Sequence, residues 1–165
     1  MNVLLTAIEA EKLQKKIHYT AIECLPLSME EVKKLNYASV PDHKNWLKKI
    51  HDCKWNQNEV INEFLTLQKV NKDLLVYSTH QTFDIVYYDA FAPAAQPELW
   101  TAAMFKKLFA MLHPGGILVT YCSKGDVRRA MTAAGFDVEK LPGPPGKREM
   151  LRGTRPGPLQ WAFAV

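Results

Sequence analysis

The chain has 165 residues, 47% of them hydrophobic, and a net charge of +4. That size and apolar content suit one globular domain over residues 1–165, and no apolar run approaches the roughly 20 residues of a membrane span. Cys24, Cys53 and Cys122 lie far apart with no CxxC or His/Cys cluster, which argues against a disulfide framework or a metal site and reads as reduced thiols in the cytosol.

In chain order, Met1 to Lys16 reads as a helix: Val3, Leu4, Ala7, Ile8 and Ala10 make an apolar side and Lys15 and Lys16 crowd its end. Ile17 to Ile22 is a short strand closing on Glu23. Ser28 with Glu31 three residues on is a capping box, so a helix begins there and runs to about Asn36. Pro41 to Lys54 carries a second helical pattern through Trp46, Ile50 and Cys53. Glu59 to Phe64 reads either way, and Phe64 to Val70 alternates as a strand that ends at Asn71-Lys72-Asp73. Phe83 to Tyr88 is a strong strand ending on Asp89. Phe91 to Pro97 holds two prolines and is a loop. Glu98 to Leu112 is a helix, stopped by His113-Pro114-Gly115-Gly116 and followed by a buried strand from Ile117 to Tyr121. Asp126 to Ala134 is a short helix with Gly135 as its C-terminal stop. Phe136 to Leu141 and Leu159 to Val165 read as two final strands, with a Pro/Gly/basic loop from Pro142 to Pro158 between them.

Strands alternating with helices at this spacing predict an α/β fold, a mostly parallel sheet with helices on both faces; the two closing strands predict an antiparallel C-terminal edge. Ligands of such sheets bind beyond the carboxyl ends of the strands. Glu23, Asp73 and Asp89 stand at three such ends and can accept hydrogen bonds from ribose hydroxyls, an adenine amino group or a substrate amine. One such acid alone reads as a turn cap; three together favour a nucleotide-type ligand. Asp89-Ala90-Phe91-Ala92-Pro93 is the most specific stretch, a carboxylate leaving a buried strand into a proline-stiffened loop. Residues 1–120 hold 13 basic and 13 acidic side chains, whereas residues 121–165 hold 8 and 4. The excess charge therefore lies in the last quarter, where a polyanion such as RNA or plain solvent would face it.

The run Phe83–Trp100 (FDIVYYDAFAPAAQPELW), then Leu112–Gly116, then Arg128-Arg129-Ala130 with Ala134-Gly135-Phe136, then Gly146-Lys147-Arg148-Glu149-Met150, resembles the MnmC-type methyltransferase domain of the tRNA 5-methylaminomethyl-2-thiouridine biosynthesis family. The resemblance implies a Rossmann-like class I fold that uses S-adenosyl-L-methionine. It implies that Glu23 binds the ribose and Asp73 lies near the adenine. Asp89 would be the active-site acid beside both cofactor and amine, Phe91 and Pro93 the wall of that site, and Lys147, Arg148 and Glu149 a segment at the substrate mouth. Members of that family open with a strand and a GFGTGLN-type loop. Here the first helix starts at once and every glycine lies at 115 or beyond, so the expected fold lacks strand one and the glycine-rich loop. Direct pairing of Ile17–Ile22 with Phe83–Tyr88 is the simplest way to close that gap. The implied function is N-methylation of an aminomethyl uridine in tRNA by a cytoplasmic enzyme. The alternatives are a non-catalytic fragment that keeps the fold's surface, and a methyltransferase for a small-molecule amine.

Overall fold

The computed structural model describes residues 1–35 and 44–157, which gather into two compact units that divide between Tyr77 and Ser78. In the first unit, helix α1 (Asn2–Leu13) buries Leu4, Ala7 and Ala10, spaced by three as one helical face requires. It stops where Gln14 turns left-handed at φ 52°. Strand β1 (Ile17–Glu23) follows. Helix α2 (Met29–Lys34) starts at the expected capping box, with Ser28 and Glu31 bonding each other's backbone, and buries no residue. Helix α3 (Lys44–Asp52) presents Leu47 to the interior; the N-terminal part of the helix expected from Pro41 lies outside the described residues. Strand β2 (Asn58–Val60) resolves the ambiguous stretch, and β3 (Leu65–Asn71) is the central strand. β1 runs parallel to β3 from Ile17↔Leu65 to Glu23↔Asn71, and β2 runs antiparallel to it. Ala7, Ile61, Leu65 and Leu67 form the core under this sheet. Lys69 is also buried. Its ammonium donates to the His51 carbonyl at 2.8 Å and lies 4.8 Å from the centre of the Trp55 ring, so its charge is solvated by a dipole and a π face rather than a carboxylate.

The second unit is a four-stranded sheet in the order β4-β5-β7-β6. β4 (Phe83–Tyr87) is parallel to β5 (Leu112–Thr120), while β7 (Glu149–Thr154) is antiparallel to both β5 and β6 (Asp137–Pro142). A 3-10 turn (Pro97–Trp100) and helix α4 (Ala102–Ala110) make the crossover from β4 to β5. The Thr101 hydroxyl caps α4 by accepting from the Met104 N–H. Helix α5 (Gly125–Ala133) is stopped by Gly135 at φ 103°, as expected. Phe105, Leu118, Met131 and Leu151 are fully buried at the centre. No helix among the described residues is long and apolar enough to cross a membrane.

The α/β arrangement and the antiparallel C-terminal edge are as expected, but several particulars differ. β5 does not wait for Ile117. It begins at Leu112 and runs through Pro114-Gly115-Gly116. Gly115, at φ 83°, bonds its N–H to the Arg155 carbonyl at 2.8 Å, and Arg155 returns one to Gly116, so the apparent helix stop is a strand bent at glycine. The expected loop from Pro142 to Pro158 contains β7, the strand that joins β5 to β6. The strand expected at Leu159–Val165 lies outside the described residues. The helix expected from Glu98 begins as a 3-10 turn and becomes α-helical only after Thr101. Pairing of Ile17–Ile22 with Phe83–Tyr88 is not formed. β1 pairs with β3 and β4 with β5, and the described strands lie in two sheets rather than one.

Candidate active site

In the first unit, β1 and β3 end together, because Glu23 stands opposite Asn71 in a parallel register. Glu23 and, two residues past β3, Asp73 therefore share the carboxyl edge of that sheet. Both side chains are exposed. One oxygen of each is engaged locally: Glu23 accepts from the Leu25 N–H at 2.9 Å and Asp73 from the Leu75 N–H at 2.8 Å. These bonds stiffen the turns and fix the carboxylates' direction, leaving a second oxygen on each for a ligand.

In the second unit the edge is built around Tyr88 and Asp89. The Tyr88 N–H donates to the Val119 carbonyl at 2.8 Å, which carries the β4–β5 register one residue past β4. The Tyr88 hydroxyl donates to the Leu99 carbonyl at 2.5 Å, and the Trp100 indole N–H to the Phe91 carbonyl at 2.8 Å. Tyr88, Trp100 and Phe105 meet edge to face, with centroids 5.2 to 6.3 Å apart. Burial pushes the Tyr88 phenol up, so it remains a donor. The loop from Asp89 to Gln96 is thus bolted to a buried aromatic cluster and tightened by N–H bonds from Ala95 and Gln96 to the Ala92 carbonyl. On this mount Asp89 and Phe91 are exposed and Pro93 is half-buried.

The β6–β7 hairpin turn reaches the same edge, since Thr120, the last residue of β5, pairs with Leu151 near the start of β7. Gly143 bonds to the Arg148 carbonyl and Lys147 to the Pro144 carbonyl, closing the turn. Lys147 and Arg148 are exposed, and the Lys147 ammonium lies 5.9 Å from the centre of the Tyr121 ring. Glu149, next in the chain, accepts from Lys140 on the facing strand at 2.8 Å in an exposed pair, and that bond holds its carboxyl below the usual range. The structure thus brings Asp89, Phe91, Pro93, Lys147 and Arg148 to one edge of the second sheet, and Glu23 and Asp73 to one edge of the first. Tyr121 was not read from the sequence as a site residue. The signal available for it was an aromatic directly after a buried strand.

Parallel strands whose carboxyl ends lead into turns bearing exposed, braced carboxylates are the edge at which α/β proteins of Rossmann type take their ligands. The comparisons narrow this class. A profile described as S-adenosyl-L-methionine-dependent methyltransferase matches residues 29–156, and the chain belongs to that family. It is 35% identical over 149 residues to the tRNA 5-methylaminomethyl-2-thiouridine biosynthesis bifunctional protein MnmC of Aromatoleum aromaticum, and 31% identical over 152 residues to that of Paraburkholderia xenovorans. Each match covers 84% of this chain but 23% of the relative, so the chain spans about a quarter of the length of these proteins. Among solved structures, MNMC2 from Aquifex aeolicus superposes with a TM-score of 0.68 at 21% identity, over 93% of this chain and 48% of that one. A methyltransferase from Pyrococcus furiosus superposes at 0.55 and 19%, over 92% and 69%. These likenesses support the class I methyltransferase fold.

The family's cofactor is S-adenosyl-L-methionine, and hydrogen-bond acceptors of this kind suit its nucleoside end. Glu23 and Asp73 each offer an outward carboxylate oxygen suited to ribose hydroxyls and an adenine amino group. A glycine cradle for the methionine end is not among these 165 residues, whose first glycine is Gly115.

Proposed function

We propose that the chain is the methyl-transferring part of a cytoplasmic tRNA-modifying enzyme, converting an aminomethyl group on a wobble uridine to methylaminomethyl, with its two units acting as one methyltransferase domain. The observation that carries this reading is Asp89, exposed on a rigid loop at the same sheet edge as the basic hairpin turn. S-adenosyl-L-methionine, when bound, supplies an electrophilic methyl group; Glu23 would hold its ribose and Asp73 its adenine. The acceptor must be a neutral amine. Asp89 accepts one of its N–H bonds, which aims the lone pair, and then balances the positive charge that develops on nitrogen; the methylated product leaves as an ammonium that sheds its proton to solvent. Phe91 and Pro93 wall the amine from water. Lys147 and Arg148 hold backbone phosphates. Glu149, engaged with Lys140, keeps the turn in shape rather than touching RNA.

The test is transfer of labelled methyl to tRNA that carries unmethylated aminomethyl uridine, compared with free aminomethyl nucleoside. The expected outcome is label in tRNA, with Asp89→Ala lowering the rate at least a hundredfold while the melting temperature holds. Activity within twofold of the parent would remove Asp89 from the chemistry. Equal labelling of the free nucleoside would favour a small-molecule amine, and tRNA binding without transfer would leave a binding protein.

A further inference from the structure

The second unit presents a solvent-facing aromatic ring that the chemistry above does not use. Tyr121 directly follows Thr120, the last residue of β5, and is 43% exposed. The backbone bond from Tyr88 to Val119 puts the ends of β4 and β5 side by side, so Asp89 and Tyr121 leave adjacent strands at the same edge. The ammonium of Lys147 lies over the Tyr121 ring, 5.9 Å from its centre, which places a cation within reach of a phosphate attached to any base held on that ring. An aromatic ring flanked by cations is how proteins hold unpaired nucleotides: the ring takes the base by stacking and the cation takes the phosphate. An amine acceptor on a base inside a helix cannot reach an enzyme carboxylate, so the base must be held out of its stack.

We infer that Tyr121 is the stacking platform for the target base and that Lys147, poised at the ring, binds the phosphate beside it. This deepens the RNA reading above and rests on it. The ligand class is a single-stranded, unstacked nucleotide in a loop, not duplex RNA. Tyr121 is a substrate-positioning residue that acts on the base, while Asp89 acts on the amine.

The experiment uses the whole chain and an RNA stem-loop carrying 2-aminopurine at the target position, beside a blunt RNA duplex of equal length. Stacking quenches 2-aminopurine. The parent is expected to quench the loop probe. Tyr121→Ala is expected to lose the quench and to bind the loop about five- to 150-fold more weakly, the range for one stacked base, with duplex affinity and melting temperature unchanged. Tyr121→Phe keeps the ring and should restore both quench and affinity. The slope of log affinity against log salt should be untouched by Tyr121→Ala, which removes no charge, but should fall by about 0.7 to 0.9 in Lys147→Ala. A parent that binds and quenches the loop, with a Tyr121→Ala variant that does the same, overturns this inference alone. Equal losses on loop and duplex overturn it as well, because stacking would not be the cause. A parent that binds no RNA loop overturns the RNA reading, and this inference with it.

Discussion

Tyr88 shows how much of the second sheet's edge hangs on one side chain. Its N–H holds the strand register, its hydroxyl holds the crossover turn, and its neighbour in sequence is Asp89. Replacing it with Phe leaves the buried Leu99 carbonyl without its donor, at a cost of about 1 to 3 kcal/mol. Urea unfolding of Tyr88→Phe should show a lower midpoint with an unchanged slope. Proteolysis within Asp89–Gln96 should speed up, since one of the bonds that seat the loop is gone. An unchanged midpoint would mean that water replaces the hydroxyl and that the bond adds nothing. The prominence of Asp89 was legible in the sequence because a carboxylate ending a buried strand before a proline-bearing loop is a local pattern. Tyr121 was not, because what distinguishes it is a lysine 26 positions away brought over its ring.

At the level of elements the β6–β7 hairpin was the hardest to read, and the proposed RNA contact rests on it. Pro142, Pro144, Pro145, Gly143 and Gly146 made the whole stretch look like loop, and Arg152 and Gly153 broke the apolar pattern of β7. Gly153 is needed for packing. A Cβ there would stand 2.7 Å from the Met131 methyl and 3.0 Å from the Phe136 ring, a tertiary constraint that no local propensity expresses. By contrast β1, β3, β4 and the capping box at Ser28 were legible, because alternation and cap chemistry are local. The same hairpin offers a test by charge. Reversing Lys147 and Arg148 to Glu should weaken tRNA binding and lower its salt slope by about 1.4 to 1.8 for two lost phosphate contacts, while cofactor affinity stays as in the parent. A slope identical to the parent would show that the turn does not touch phosphate.

For the molecule as a whole, the two units should answer acid at different pH. In the first, burial, followed by the charge of Lys69, pulls His51 below its ordinary value of 6.5. The unfolded chain then binds the proton more readily than the folded one, so stability falls as pH drops from 6.5 to the lowered folded value, and levels off below it. In the second unit the Lys140 bond lowers Glu149 from 4.5. That contribution is complete above 4.5 and is lost as pH falls through the lowered value. Hydrogen exchange should therefore show β3 amides losing protection before β7 amides on acidification. Simultaneous loss below pH 4.5 would remove His51 from the account. The strand order of the second unit also bears on how the protein is born. β5 and β6 are both separated from each other by β7, which is synthesised after them. A nascent chain leaving the ribosome would display β4, β5 and β6 with the middle seat vacant, and the sheet could not zip until the tunnel had released residue 154. Until that moment two strand borders stand open to neighbouring polypeptides, so production of this fold should depend on how quickly translation carries β7 out of the tunnel and on whichever chaperone shields the seat meanwhile.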